Sequence, residues 1–349
     1  MPRPTRLLLI AGCVLVLGQS PTSVRLSPAN GQLSYEFSGI SGIRELRDGR
    51  LLIADRRENR LLIADFNSDA VSELGRVGNG PGEFQRASRL LAISPDTTAM
   101  PDEGSPGRWL MIIDQGTEVR LVTTPAPIGN AFALVMGADT GGNVLFATPV
   151  AASAETNRLA DSLSLISVNR ATRRQDTLAR LVSPFPASAR AFGTGVAVRR
   201  RGATTPPRLD APRDEALLFP DGWIAILRRT HPRIEWRSSK GHGIRGVSAA
   251  VSFGGNKQKL TSLELVSSEG YFGSTPSLIA VPDGRLLAKL PTGKSSDETQ
   301  YVLIDRRGAA TGLLAVTESE RVLGFGVKSV YVSTTDESGL QRIRRHPWP

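Results

Sequence analysis

Cysteine occurs once in the 349 residues, at Cys13, and histidine three times, at His231, His242 and His346. A chain so poor in both can build no internal disulfide and no cysteine-based zinc site. The histidines stand well apart, so the His-Glu-x-x-His spacing of a zinc hydrolase is missing too. Serine is plentiful, yet no Gly-x-Ser-x-Gly elbow appears; Gly270-Tyr271-Phe272-Gly273-Ser274 only brings glycines near a serine. Gly193-Thr194-Gly195 and Gly254-Gly255-Asn256-Lys257 lack the strand and helix that make a phosphate-binding loop. These absences leave no catalytic constellation, and no catalytic residue is expected. Beyond the first 20 residues, no run stays apolar for the roughly 20 residues that a membrane-crossing helix needs.

The first 20 residues have a composition of their own. Arg3 and Arg6 form a positive start, Leu7 to Gly18 an apolar run, and Gly18-Gln19-Ser20 a small-residue exit. This is the pattern of a secretory signal peptide, so residues 1–20 are read as a signal and the protein as exported, to the periplasm or the cell exterior. Within it, Ile10-Ala11-Gly12-Cys13 resembles a bacterial lipobox, whose acylated Cys13 would tether the chain to the envelope. The apolar run continues through Val14, Leu15, Val16 and Leu17, where a lipoprotein turns polar, so cleavage near Ser20 is the favoured outcome.

Lysine is scarce as well. The formal charge of +10 comes from 37 arginines and only 6 lysines. The doublets Arg56-Arg57, Arg173-Arg174, Arg228-Arg229, Arg306-Arg307 and Arg344-Arg345 are scattered along the chain, and only Arg199-Arg200-Arg201 is denser, with no aromatics between its members. A nucleic-acid partner needs a clustered basic face. The scatter argues for a solvated basic surface instead.

What the chain does have is turns, with 35 glycines and 23 prolines spread in short clusters. Leu51-Leu52-Ile53-Ala54-Asp55 and Leu61-Leu62-Ile63-Ala64-Asp65 are two apolar, strand-length runs joined by a polar connection, which reads as an antiparallel hairpin. Asp48-Gly49 before the first run and Ser68-Asp69 after the second add two turns, giving four strands in one unit. The grammar recurs in Phe219-Pro220-Asp221-Gly222 before Trp223 to Leu227, in Val281-Pro282-Asp283-Gly284 before Arg285 to Leu290, and in Gly141-Gly142-Asn143. In the second unit, Thr97 to Gly107 reads as an insertion that widens a hairpin.

The units fall near residues 43–75, 89–124, 131–182, 214–240, 277–317 and 320–345, and they predict an all-β fold, a six-bladed β-propeller. Residues 21–349 then form one domain, with a long loop at about 184–212. Outer strands of the fourth blade are sought at Val247 to Phe253 and Leu260 to Val266. A ring of blades needs closing. The alternating Gln32-Leu33-Ser34-Tyr35-Glu36-Phe37 is expected to complete the last blade as its N-terminal strand.

Three stretches carry a resemblance: Asn79-Gly80-Pro81-Gly82-Glu83-Phe84; Leu218 to Gly222 with Arg233-Ile234-Glu235-Trp236; and Val330-Tyr331-Val332 with Asp336-Glu337-Ser338-Gly339-Leu340 and His346-Pro347-Trp348-Pro349. They resemble bacterial six-bladed propellers related to NHL-repeat and TolB-like proteins. The resemblance covers nearly all of the chain after the signal and implies the fold, while fold alone fixes no function. Some six-bladed relatives, the gluconolactonase and lactonase group, hold a divalent cation such as calcium in the central channel on Glu, Asn and Asp ligands. Asp55, Asn59, Asp65, Asp114 and Asp305 end strands where such ligands would stand, although strand-end Asp and Asn commonly cap turns. His231 beside Arg228 and Arg229, with Trp236 nearby, reads as a surface hairpin loop, and the Gly-Pro-Gly-Glu-Phe loop as a crossing between blades plugged by Phe84.

The leading expectation is a non-catalytic binding or scaffold module without cofactor, holding a protein, peptide or glycan on one face. The alternative is a metal-dependent lactonase-like hydrolase or lyase with a channel site. A third, anionic polymer binding through Arg199 to Arg201, rests on one loop.

Overall fold

A strand whose two faces are both covered carries an unbroken apolar run rather than an alternating one. The computed structural model shows such strands stacked throughout. It describes residues 22–105, 107–127, 134–153, 158–182, 189–192, 195–198, 214–228, 233–238, 245–247, 278–290 and 297–349. Among these there is no helix, and 27 strands fall into six sheets arranged as a six-bladed β-propeller.

Two short strands, β1 (Thr22–Val24) and β2 (Gly31–Gln32), precede the first blade. That blade is β3 (Ile40–Glu45), β4 (Leu51–Asp55), β5 (Arg60–Asp65) and β6 (Ala70–Glu73), a meander from the inside outward. Every residue of β4 is buried. The second blade is β7 (Leu91–Ser94), β8 (Thr97–Pro101), β9 (Arg108–Asp114) and β10 (Val119–Pro125). Thr97 to Pro101 is therefore the second strand of that blade, not part of an insertion. Its Thr98, Ala99 and Met100 are buried, small or slim side chains that fit a crowded inner position without making a long apolar run.

The third blade holds β11 (Leu134–Ala138), β12 (Asn143–Ser153), β13 (Arg158–Asn169) and β14 (Gln175–Val182), with β15 (Ala189–Phe192) and β16 (Gly195–Val198) attached where Arg190 pairs with Arg158. Part of the stretch read as a loop at 184–212 is thus a small hairpin, whose four-residue strands are too short to register as a periodic pattern. The fourth blade is β17 (Glu215–Leu218), β18 (Trp223–Arg228), β19 (Arg233–Ser238) and β20 (Arg245–Val247). The fifth is β21 (Leu278–Ala280), β22 (Leu286–Lys289), β23 (Glu298–Ile304) and β24 (Ala310–Thr317), and the sixth is β25 (Glu320–Phe325), β26 (Ser329–Thr335) and β27 (Gln341–Pro347). Residues 1–21 with Cys13, Arg199 to Arg201, Arg229, His231, His242 and residues 248–277 lie outside the described residues.

The chain start is fastened to two blades. β1 runs parallel to β24 on the outside of the fifth, and β2 pairs antiparallel with β27, Gly31 opposite Arg345 and Gln32 opposite Arg344. The Leu33 amide then donates to the Ile343 carbonyl at 3.0 Å, and Phe37 exchanges two 2.8 Å bonds with Gln341. Between them Ser34 turns aside to Asp69, so the regular pairing is shorter than the alternation of residues 32–37 suggests.

Six apolar clusters occupy the six gaps between neighbouring blades. Phe84, Met100 and Leu110 join Leu52 and Leu61 between the first and second, for example, and Leu33, Phe37, Tyr331 and Ile343 join Leu51 and Ile53 between the sixth and first. Phe84 is 1% exposed, so the Gly-Pro-Gly-Glu-Phe loop does plug an interblade gap. Its Glu83 accepts from the Gly80 amide and from Arg76.

Many arginines are not surface decoration. Arg228, its side chain 16% exposed, binds Asp214, Glu235 and the Arg180 carbonyl of the preceding blade. Arg89 donates to the Val135 carbonyl, and Arg44 to the Ser94 carbonyl, each one blade on. The reading as a solvated basic surface therefore needs correcting for these: a long guanidinium spans the gap between sheets and satisfies carbonyls that the neighbouring sheet leaves open.

Phe37→Ala should cost about 3–5 kcal/mol, the range for emptying a fully buried aromatic site. Thermal denaturation of the full chain would register it, whereas an unchanged midpoint would show that the segment is not part of the cooperative unit.

Candidate functional site

Four blades begin with the same hairpin between their first and second strands. Leu46, Asp139, Phe219 and Val281 each donate their amide to a carbonyl four residues on, and Gly49, Gly142, Gly222 and Gly284 each donate back to the first residue's carbonyl. Those glycines have φ between +81° and +85°, the left-handed region that favours glycine. The sixth blade uses a tighter turn, with Gly326 donating to Ser329 at 2.8 Å. The turns of the first, fourth, fifth and sixth blades converge at one end of the ring.

There they surround a cavity of about 770 Å³ with contributions from five blades: Arg44 to Arg47, Pro95, Phe219 to Asp221, Ala280 to Arg285 with Asp305 and Arg306, and Phe325 to Val327. Residues from so many blades can meet only around the ring's axis, so the cavity is a mouth of the central channel. Its volume is within the ordinary range for ligand pockets, about 300–1,000 Å³.

The walls are tied together across the blades. Glu45 of the first blade accepts the Val327 amide at 3.1 Å and the Tyr331 hydroxyl at 2.5 Å, both from the sixth. A Cβ on Gly326 would collide with that carboxylate, so a larger residue there would push the Glu45 side chain away from these bonds. Burial and the Glu45 carboxylate push the Tyr331 hydroxyl well above the ordinary tyrosine range, which keeps it a neutral donor. Arg306 of the fifth blade pairs with Asp221 of the fourth at 2.5 Å and lies over the Trp223 ring at 5.3 Å and the Phe219 ring at 5.7 Å. Burial lowers the Arg44 guanidinium, against the raising effect of Glu45 and Asp114.

The carboxylates here are occupied. Asp283 accepts the Arg285 amide at 3.0 Å and the Arg285 Nε at 2.8 Å. Asp305 accepts the amides of Arg307 and Ala309, both at 2.9 Å, and the Arg307 side chain. Burial alone would raise both carboxyls, but these bonds outweigh it and hold both below the usual range.

Of the five strand-end residues singled out as metal ligands, only Asp305 lines the cavity. Asp55 is buried and accepts the amides of Ser38, Arg57 and Glu58. Asp65 caps Asn67 and Ser68 in its own turn. Asp114 takes the amides of Gly116 and Arg47, and Asn59, at φ +58°, bonds Gln85 and Ala87. Each fastens a turn, the five do not converge, and no group of three or more His, Cys, Asp or Glu suited to a metal occurs among the described residues. Among the described residues, these five donors do not assemble the channel cation site that the resemblance implies.

The aromatic group near Arg228 also differs from its reading. Trp236 is fully buried against Phe219, ring centroids 5.4 Å apart, and belongs to the core between the fourth and fifth blades. His346 is buried as well, its Nδ1 2.8 Å from the Ser27 carbonyl. Sequence reasoning missed Arg44, Glu45, Arg285, Arg306 and Tyr331. Glu45 and Tyr331 stand 286 positions apart, and nothing local marks them as partners.

No protein-family model matches the chain, and no curated protein sequence matches it. Solved structures do. A gluconolactonase candidate superposes with a TM-score of 0.51 at 10% identity, covering 92% of this chain and 94% of that one. Regucalcin, a calcium-binding protein from Agrobacterium tumefaciens strain C58, gives 0.45 at 10% identity over 94% and 97%, and a streptogramin B lyase 0.42 at 11% over 91% and 86%. At such identity the likeness shows the fold alone, and that fold is the six-bladed β-propeller.

Two tests follow from this geometry. Tyr331→Phe should lower stability by about 1–3 kcal/mol in urea denaturation, because it leaves a half-buried carboxylate short of its donor. Asp283 and Asp305 bind protons less readily folded than unfolded, so their contribution is full above about pH 4 and is lost as pH falls through the lower folded values. The double variant Asp283→Asn, Asp305→Asn should show a shallower fall in Tm on acidification than the parent chain.

Proposed function

We propose that the chain is an exported, non-catalytic binding propeller that seats a protein, peptide or glycan ligand in the channel mouth on the turn face. One observation carries this reading. The cavity is walled by turns of five blades, yet among the described residues its lining contains no histidine, cysteine, serine, threonine or lysine, and its carboxylates are engaged in holding turns and arginines. Such a wall can recognise, and it offers no nucleophile or poised base for turnover. Export rests on residues 1–20, with cleavage near Ser20 or acylation at Cys13, and kinship with NHL-repeat and TolB-like propellers rests on the loop motifs. Among the described residues no helix is long and apolar enough to cross a membrane.

The second reading, a metal-dependent hydrolase or lyase, takes its support from the gluconolactonase-like fold. One experiment separates the two: the chain is purified from its native envelope, its N-terminus is read by mass spectrometry, its metals are counted by elemental analysis, and it is incubated with lactone, ester and glycosidic substrates. The binding reading expects a processed N-terminus, no stoichiometric metal and no turnover. Turnover abolished by a chelator would replace it with the second.

A further inference from the structure

We propose that the occupant of the channel mouth is an acidic peptide, one that presents carboxylates to the cavity's arginines and apolar side chains to its walls. This rests on the binding reading above and names the ligand class for the same cavity.

The first argument is a mismatch between donors and acceptors. Glu45, Asp283 and Asp305 each have both carboxylate oxygens taken by turn amides, a tyrosine or an arginine, and Asp221 is held by Arg306 and by the Trp223 amide at 3.4 Å. The arginines are not used up in the same way. A guanidinium carries five N–H donors. Arg44 uses one, on the Ser94 carbonyl; Arg285 and Arg306 each use Nε and one terminal nitrogen; and Arg47 makes only a 3.7 Å ion contact with Asp96, its side chain 56% exposed. A carboxylate accepts about four hydrogen bonds, so some acceptor capacity remains on Glu45 and Asp221, but the arginines' unused donors outnumber it. A ligand that brings carboxylates meets that surplus with charge-assisted bonds. One that brings only cations finds the four lining carboxylates already engaged by tyrosine, amide or arginine donors.

The second argument concerns the remaining wall. Phe219, Val281, Phe325 and Val327 line it, and Val327 at the rim is 79% exposed, the largest exposure among the big apolar side chains described. Its backbone is fixed by the bond to Glu45, so this apolar tip is presented, not merely loose. Sugar rings stack on open aromatic faces; here Phe219 is 1% exposed, the Trp223 face lies under Arg306, and the half-buried Phe325 ring is packed edge-on with Trp348 at 4.8 Å. Aliphatic and prolyl walls beside arginines suit a chain that alternates acidic and apolar side chains.

The test uses the full mature chain and fluorescence anisotropy with three labelled probes: a peptide alternating Glu and Leu, its Gln-for-Glu counterpart, and oligogalacturonate as an acidic glycan. The expected result is binding of the Glu peptide, at least about tenfold weaker binding of the Gln peptide, and no saturable binding of the glycan. Arg47→Glu should weaken the Glu peptide about tenfold and Val327→Ser several-fold, both with unchanged thermal midpoints, since both side chains are exposed. Equal binding of the Glu and Gln peptides, tighter binding of oligogalacturonate, or an unaffected Arg47→Glu variant would overturn the acidic-peptide assignment while leaving a binding module. Failure of all three probes to bind would overturn both.

Discussion

Everything in this molecule depends on sheets that are apolar on both faces. Such a sheet is stable only with a neighbour on each side, and stacking sheets in a line would strand the first and last. Arranging them radially removes the problem, because the sixth blade meets the first. The six buried clusters, one to each gap, are the physical record of that solution. In the gap between the sixth and first blades the contributions come from both ends of the chain, with Leu33 and Phe37 beside Tyr331 and Ile343.

Radial stacking creates a second demand along the axis. Each innermost strand has a partner on one side only, and its other edge faces the channel with open backbone groups. A short side chain cannot cross from one blade to the next, and a lysine brings a single charged tip. An arginine can cross and hydrogen-bond a carbonyl at the end of its reach, as Arg44 and Arg89 do. The preference of this chain for arginine over lysine thus has a partial structural account: several guanidiniums are interblade ties. The same economy explains the strand-end carboxylates. Asp55, Asp65, Asp114 and Asp305 hold amides of their own or neighbouring turns, which stiffens the hairpins and leaves those oxygens committed.

The channel mouth inherits its character from these two demands. Turns stiffened by their own carboxylates and glycines converge on it, and the arginines that reach between blades line it with donors in excess. A rigid scaffold carrying converging loops is where recognition commonly resides. The neighbouring structures share the scaffold, while the donor set that would hold a channel cation is not assembled from the strand-end residues of this chain.

The sequence by itself determined most of the strands and their grouping into six blades. Apolar runs such as Leu51 to Ala54, and turns such as Pro220-Asp221-Gly222 and Pro282-Asp283-Gly284, are local: a few adjacent residues set the strand and the reversal. Where local signals are weak the reading slipped, as at Thr97 to Pro101, whose small buried side chains resemble a loop, and at the short strands Ala189–Phe192 and Gly195–Val198. Of the candidate site, only Asp305 and the Pro-Asp-Gly turns were legible, and their convergence was not. Glu45 with Tyr331 and Arg306 with Asp221 are far apart in the chain, and each residue alone looks like an ordinary surface polar group. Only the closed ring brings the blades' first turns around one axis, and which charges meet there depends on radial geometry that no single segment encodes.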